Sequence, residues 1–314
     1  MKPYDGEPTH SVEDVVRNFL ARDLANWIKF DPLARMGDDE GIHQLRVSAR
    51  RLRAEFGVVH ADIRHASLTH LRRELRWVGS LLGRQRDLDV LRHTLVHAAP
   101  QPDRSTSLVN DVERRRSASQ LLVRDALNSR RYRHLVVSLA EAAIEPPCRR
   151  SATRGANVLL PSVQHHVSSL QSLRSTCGDN PSDELLHRVR IAVKRCRYGA
   201  EVAIVILGPD AEQLAESFAR AQTVLGDLHD TVVALTYLNS GTLSLDVPEA
   251  DLLSITHVLA STRTRLRSEW RPLVDDALAL ARSLDLASPS STPTGNDPTS
   301  NTPSREADGH ESIS

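Results

Sequence analysis

Apolar residues recur along most of this 314-residue chain at spacings of three and four, the period of a helix with one buried face. Strand-like alternation bounded by turns is scarce, and most prolines and glycines fall between the periodic stretches. The pattern predicts helices at about 11–30, 40–60, 67–98, 105–129, 131–144, 155–176, 183–207, 210–240 and 249–286. The fold class that follows is all-α. The first ten residues fall outside this pattern and are expected to be flexible. From Ser288 onward the chain is rich in Ser, Thr, Pro and Asn and nearly empty of large apolar groups, so 288–314 is expected to be a disordered tail.

The helices repeat. IHQLRVSARRLRAEF (42–56) aligns with LHRVRIAVKRCRYGAEV (186–202), so that His43 meets His187, Arg46 meets Arg190, Arg50 meets Lys194, Arg51 meets Arg195 and Arg53 meets Arg197, each pair 144 positions apart. The next helix repeats as well, with Leu82, Gly83 and Asp87 matching Leu225, Gly226 and Asp230 at an offset of 143. A near-constant offset across two helices is the mark of an internal duplication. Each half then reads as one helix, a His/Arg helix, a Leu-Gly helix and a further long helical stretch that the first half interrupts near 130. The expected architecture is two four-helix bundles, repeat one at 11–147 and repeat two at 155–287, related by a pseudo-twofold axis.

Placed on a helix at about 100° per residue, His43, Arg46, Arg50 and Arg53 share one stripe, and Ile42, Leu45, Ala49, Leu52 and Phe56 form the apolar stripe beside it. His187, Arg190, Lys194 and Arg197 repeat the stripe next to Leu186, Val189, Val193 and Cys196. Stacked like charges weaken a helix by a few tenths of a kcal/mol per pair, so an arrangement carried twice points to a gain elsewhere. Acids along this stripe come only at its end, at Glu55 and Glu201. A row of cations advancing about 4.5–6 Å per step tracks a linear chain of negative charges. The bland alternative is a solvated face whose arginines pair with acids on neighbouring helices. Asp87 and Asp230 are expected to orient a nearby Arg or His, and the Leu-Gly pairs to mark close helix crossings.

Composition refines this picture. Forty basic and forty acidic side chains cancel, yet only Lys2, Lys29 and Lys194 among the basic ones are lysines. The remainder are arginines, whose planar fork suits bidentate contacts to phosphate or carboxylate. The following helix adds Arg72, Arg73, Arg76, Arg84 and Arg86 in the first half but only Arg220 and His229 in the second, so the halves differ electrostatically. Cys148, Cys177 and Cys196 have neither disulfide nor zinc spacing and read as reduced thiols. The opening MKPYDGEPTH has no apolar leader region, and no run of about 18 apolar residues occurs, so a cytoplasmic location without membrane insertion is expected.

The motifs HQLRVSARRLR (43–53), RWVGSLLGRQRDLDVL (76–91), HRVRIAVKRCRY (187–198) and LGDLHDTV (225–232), in this order, resemble those of the conserved histidine α-helical, or CHAD, domain family over about residues 11–287. The resemblance implies two pseudo-twofold-related four-helix bundles, a basic central groove or pore, binding of inorganic polyphosphate and, in some members, association with polyphosphate granules; it does not imply an enzyme, and the protein is expected to be a non-enzymatic module without a cofactor. Carried over residue by residue, it places His43, Arg46, Arg50, Arg53, Arg76 and Arg86 of the first half and His187, Arg190, Lys194, Arg197 and Tyr198 of the second against the ligand. Arg51 and Arg195, about 100° around the helix from Arg50 and Lys194, are better placed to serve the partner bundle. Cys196 stands where an aliphatic residue is usual in the family, a matter of packing.

Rival readings have less support in the residues. A triphosphate-tunnel enzyme needs an acidic ExExK signature and strands, and a histidine phosphatase needs an RHG-type motif, none of which occurs. Acid/base chemistry at His43 or His187 stays open because imidazole titrates near neutrality. His93 and His97 at i, i+4, and the adjacent His165 and His166, invite metal chelation but lack a third ligand at a persuasive position. Nucleic acid would meet the arginines non-specifically, without aromatic platforms for bases. Polyphosphate, with higher charge density and no bases, suits a narrow groove better, and any partner enzyme stays unidentified.

Overall fold

A computed structural model describes residues 11–99, 106–149, 155–240 and 248–286. The expected flexible N-terminus and disordered tail both lie outside the described residues. Among the described residues there are nine α-helices and no strand: α1 (Val12–Arg35), α2 (Asp39–Val58), α3 (His65–Ala98), α4 (Thr106–Leu127), α5 (Arg130–Ile144), α6 (Leu160–Ser175), α7 (Asp183–Leu207), α8 (Pro209–Asn239) and α9 (Glu249–Ser283). A short 3-10 turn, Ala156–Leu159, leads into α6.

Local chemistry sets the boundaries. Ser11 and Asp14 form a reciprocal capping box at the start of α1, the Ser11 N–H donating to Asp14 Oδ2 (2.9 Å) and the Asp14 N–H to Ser11 Oγ (3.2 Å). Asp38 caps α2 by accepting from the Gly41 N–H at 2.8 Å, and Ser182 caps α7 by accepting from the Leu185 N–H at 3.2 Å. The α1–α2 corner is tight enough that a Cβ on Gly41 would stand 2.5 Å from the backbone nitrogen of Ala34. Gly208, at φ 59° and ψ −134°, occupies a conformation that side-chain-bearing residues avoid; it lets α7 stop and α8 start at once on Pro209. The interruption expected near 130 is the Asn128–Ser129 joint, where Ser129 Oγ accepts from the Tyr132 N–H at 3.2 Å.

One expectation fell short. Helix α1 continues five residues beyond position 30, through Pro32 to Arg35. Proline there removes only the N–H that would meet the Ile28 carbonyl, and Ile28 lies on the exposed face, where water can serve that oxygen.

The sequence offset of 143–144 residues sets α2 over α7 and α3 over α8. Within the halves, α1 packs on α2, α2 on α3, α6 on α7, α7 on α8 and α8 on α9. Between the halves, α2 meets α7 and α3 meets α8, so helices in corresponding positions face each other. A single apolar core runs through both halves, from Phe19, Trp27, Leu45 and Leu75 to Val189, Phe218 and Trp270. Each such large side chain, fully buried, contributes about 1.5–3 kcal/mol. A smaller cluster, including Leu95, Val112, Leu238 and Ile255, joins α3 and α4 to α8 and α9. Trp27 Nε1 donates to the Tyr132 hydroxyl at 2.7 Å, and that hydroxyl donates to Asp31, tying α5 to α1.

Candidate functional site

The apolar stripe of α2 is wholly inside: Ile42, Leu45, Ala49 and Phe56 are 0% exposed and Leu52 1%. Leu186, Val189, Val193 and Cys196 of α7 are likewise buried. Anchoring these stripes fixes the rotation of both helices, and the neighbouring cationic stripes then face each other across the junction of the halves. Between them lies a cleft of about 440 Å3, lined by His43, Arg46 and Arg50 of α2, Arg86 and Asp87 of α3, His187, Arg190 and Lys194 of α7, and Gln222, Asp227, His229 and Asp230 of α8.

This cleft shares lining residues with two others. Toward α1 it shares His43, Arg50 and Gln222 with a cavity of about 600 Å3 that adds Arg22, Lys29, Arg51, Arg197 and Tyr198. Toward α9 it shares Arg86, Asp227 and Asp230 with a cavity of about 670 Å3 that adds Asp39, Asp89, Arg92, His93, His97 and Arg265. The three cavities follow one another along the junction of the halves, a track whose lining is cationic at the α1 mouth and of mixed sign at the α9 mouth.

The central cations stand in one another's field. Arg46 pairs with Asp87 at 3.2 Å, and Arg50 Nε donates to the Tyr198 hydroxyl at 2.9 Å, a bond that spans the two halves. Burial pushes the Lys194 ammonium down to about 6, reinforced by Arg190, Arg50 and Arg46 and opposed by Asp230. Burial and then Arg190 push His229 down to about 4, its ring 4.8 Å from that of His187. His43 is lowered by burial and then Arg86, and His187 by burial and then Arg190. Burial lowers Arg46 and Arg190 as well, with Asp87 and Asp230 respectively working against it. Arg190 Nε, His187 Nδ1 and Gln222 Oε1 are buried without hydrogen-bond partners; the first two could donate to an anion, whereas the amide oxygen can only accept.

Acids lie behind the arginines at the α1 mouth. Arg22 binds Asp23 at 2.7 Å and also Glu55, and Arg51 binds Glu201 at 2.9 Å and Asp23 at 3.6 Å. Arg197 Nε donates to Glu201 at 3.0 Å. The carboxylates of Asp23 and Glu55 are fully buried, and burial together with Asp23 raises the Glu55 carboxyl far above the usual carboxylate range. Arg51 therefore joins the halves, as its angular offset from Arg50 implied.

Of the residues expected at the site, His43, Arg46, Arg50, Arg86, His187, Arg190 and Lys194 line the central cleft, and Arg197 and Tyr198 the α1-side cavity. Tyr198 is only 2% exposed and serves mainly to hold Arg50. Arg53 and Arg76 line none of these three cavities; they stand with Arg72 in a separate cationic group between α2 and α3. Asp87 orients Arg46 as expected. The Leu-Gly expectation does not hold: a Cβ on Gly83 would meet the Arg46 guanidinium at 3.6 Å, and one on Gly226 would meet nothing within 4 Å. Gly83 leaves room for Arg46 and Gly226 faces the open cleft, and neither marks a helix crossing.

Sequence reasoning missed Arg22, Lys29 and Gln222, and named His229 only as a basic residue of its helix without placing it at the site. For His229 the signal existed, since it lies 143 positions after Arg86 and so holds the matching place in the second half. Among the described residues no group of three or more His, Cys, Asp or Glu is placed to hold a metal ion, and the His93 and His97 rings lie tilted by 30° with their centroids 3.8 Å apart.

An all-helical, two-part bundle with a cationic track at the junction of its halves defines the class. The particular family is then given by the match of residues 18–239 to the CHAD domain: the chain belongs to the CHAD domain family. The crystal structure of the CHAD domain from the plant Ricinus communis is similar at a TM-score of 0.61 and 23% identity, covering 90% of this chain and 95% of that one. PptA from Streptomyces chartreusis is similar at a TM-score of 0.67 and 18% identity, covering 86% of this chain and all of that one. Two uncharacterized proteins of Mycobacterium tuberculosis, MT2285 and Rv2226, are each 26% identical over 236 residues, or 72% of this chain. The match covers 45% of their length, so the chain spans less than half of these relatives. Among the described residues no helix is long and apolar enough to cross a membrane.

Proposed function

We propose that the protein binds inorganic polyphosphate along the track between its halves, as a binding module without catalytic chemistry of its own. The observation that carries this reading is the convergence of Arg46 and Arg50 from the first half with Arg190 and Lys194 from the second on one narrow cleft. Burial, and then the neighbouring arginines, push Arg46, Arg190 and Lys194 toward their neutral forms, so a polyanion in the cleft relieves an electrostatic cost. A linear chain with one charge per phosphate can meet successive cations along the track, whereas duplex DNA is too wide to enter. A cytoplasmic setting, and association with polyphosphate granules, would follow from this role.

The test is a competition titration at about 150 mM salt, where exposed charges are screened but a dedicated site still holds its ligand. Labelled long-chain polyphosphate is displaced by unlabelled polyphosphate, pyrophosphate or duplex DNA, for the wild type and for Arg50→Ala/Lys194→Ala. Tight binding that DNA displaces poorly and the double variant loses supports the reading. Binding without preference, or indifferent to the substitutions, refutes it.

A further inference from the structure

Behind the α1 mouth, the Asp23 and Glu55 carboxylates share the guanidinium of Arg22. Its Nη2 donates to Asp23 Oδ2 at 2.7 Å and also to Glu55 Oε1, and both carboxylates are 0% exposed. Asp23 Oδ1, 3.6 Å from Arg51, and Glu55 Oε2 are buried without a hydrogen-bond partner. The two carboxyl groups nevertheless lie within hydrogen-bonding reach of each other. Buried oxygens that can only accept repel, whereas a single proton between them satisfies both.

The internal repeat shows that the fold does not need this pair. Glu55 stands 144 positions before Gly199, inside the stretch that α2 and α7 share. There α7 packs on α6 without a carboxylate, and a Cβ on Gly199 would meet His166 at 3.4 Å and Val163 at 3.5 Å. The charges facing the pair are Arg22 on α1 and Arg51 on α2, and Arg51 in turn shares Glu201 with Arg197 on α7. Arg22, Arg51 and Arg197 thus stand against Asp23, Glu55 and Glu201, and with every acid ionised the group is neutral. Of these six, only the arginines line the cavity, beside Lys29, His43 and Arg50. The charge that an incoming anion meets therefore depends on whether the acids behind hold a proton.

We infer that Asp23 and Glu55 hold one proton between them at neutral pH, and that this proton leaves Arg22 free to capture an anion at the α1 mouth. Burial, then Asp23, raise the Glu55 carboxyl far above the usual carboxylate range against the pull of Arg22, as such a shared proton requires. When pH rises and the proton leaves, both carboxylates claim Arg22 and the mouth gives up one positive charge. The shared proton is independent of any ligand; its effect on capture rests on the functional reading above.

Infrared difference spectroscopy on the full chain reads the proton directly, through the carbonyl stretch of a protonated carboxyl. The wild type is expected to show such a band at about pH 7 and to lose it by about pH 10, where an ordinary carboxyl is ionised at both. Glu55→Gln and Asp23→Asn, each close in shape to the native side chain, are both expected to lack the band at about pH 7, since each leaves one carboxylate on Arg22. A wild type without the band, or a band that survives in either variant, overturns the inference, and the wild-type spectra can refute it even if a variant does not fold. Capture is read by the competition titration at about pH 7.5 and 9.5, where the wild type is expected to weaken about three- to tenfold more than Glu55→Gln, the effect of one charge at the mouth. Equal weakening of the two also overturns the inference. The expected spectra with no polyphosphate binding at either pH would uphold the shared proton and sink the functional reading alone.

Discussion

Replacing Lys194 by glutamine isolates the cost of the empty cationic cleft. In the folded, ligand-free protein the amine has a pKa of about 6, whereas in the unfolded chain it returns to the ordinary ammonium range. A base whose folded pKa is depressed penalises folding fully below the folded value, and the penalty fades as pH rises toward the unfolded value. At about pH 7.5 roughly 3 pH units of that gap apply, an upper bound of about 4 kcal/mol. Lys194 lines an open cleft, so screening reduces this to roughly 2 kcal/mol. Lys194→Gln keeps the side chain polar and removes the penalty, and its melting temperature is expected to exceed the wild type by about 4 °C without ligand. Scanning calorimetry at about pH 6.5 and 8.5 should show wild-type stability rising with pH and the variant rising less steeply. With saturating polyphosphate the gap should close or reverse, because the bound anion lets Lys194 carry its charge. A ligand-free variant that melts at or below the wild type, or a pH slope unchanged by the substitution, refutes the account.

Further outcomes follow from the same geometry. His43, His187 and His229 are all held below the usual imidazole range when the cleft is empty. A bound polyanion raises them, so polyphosphate affinity should tighten as pH falls from about 8 to 6, and isothermal titration in buffers of different ionisation heat should show proton uptake. Asp87→Asn removes the carboxylate paired with Arg46 and should tighten polyphosphate binding severalfold in the competition assay. Tyr198→Phe leaves Arg50 Nε without its acceptor and should weaken binding about three- to tenfold, a hydrogen bond of roughly 1 kcal/mol, with little change in melting temperature. Glu201→Ala strips Arg51 and Arg197 of their shared partner and should destabilise the fold by about 3 kcal/mol in chemical denaturation.

The stripes on α2 and α7 were legible in the sequence because one period encoded both burial and function: Leu45 and Val189 had to be inside, which placed Arg46 and Arg190 at the edge of the junction. The α1 contribution was not legible. Arg22 and Lys29 lie on a helix that carries no repeated motif, and only the packing of α1 on α2 brings them to the mouth of the track. Gly83 and Gly226 were misread because a glycine on a helix face has two uses, close backbone approach or space for a neighbour's side chain. Which applies depends on what stands opposite, here Arg46 and open cleft. Arg53 and Arg76 show the reverse limit, since the stripe on α2 is longer than the cleft it enters, and its last turn leads to a second group of arginines.

The two mouths of the track are not equivalent for a threading chain. At the α1 end, Arg22, Arg51 and Arg197 are held from behind by Asp23, Glu55 and Glu201, so they lose little rotational freedom on capturing an anion. At the α9 end, Asp227 and Asp230 share the lining with the cations and oppose the approach of like charge, while Asp39 and Asp89 are held by Arg116. Under the proposed function, a long polyphosphate would have an entrance and an exit, with capture beginning beside α1 and acids opposing the leading phosphates only beyond Lys194.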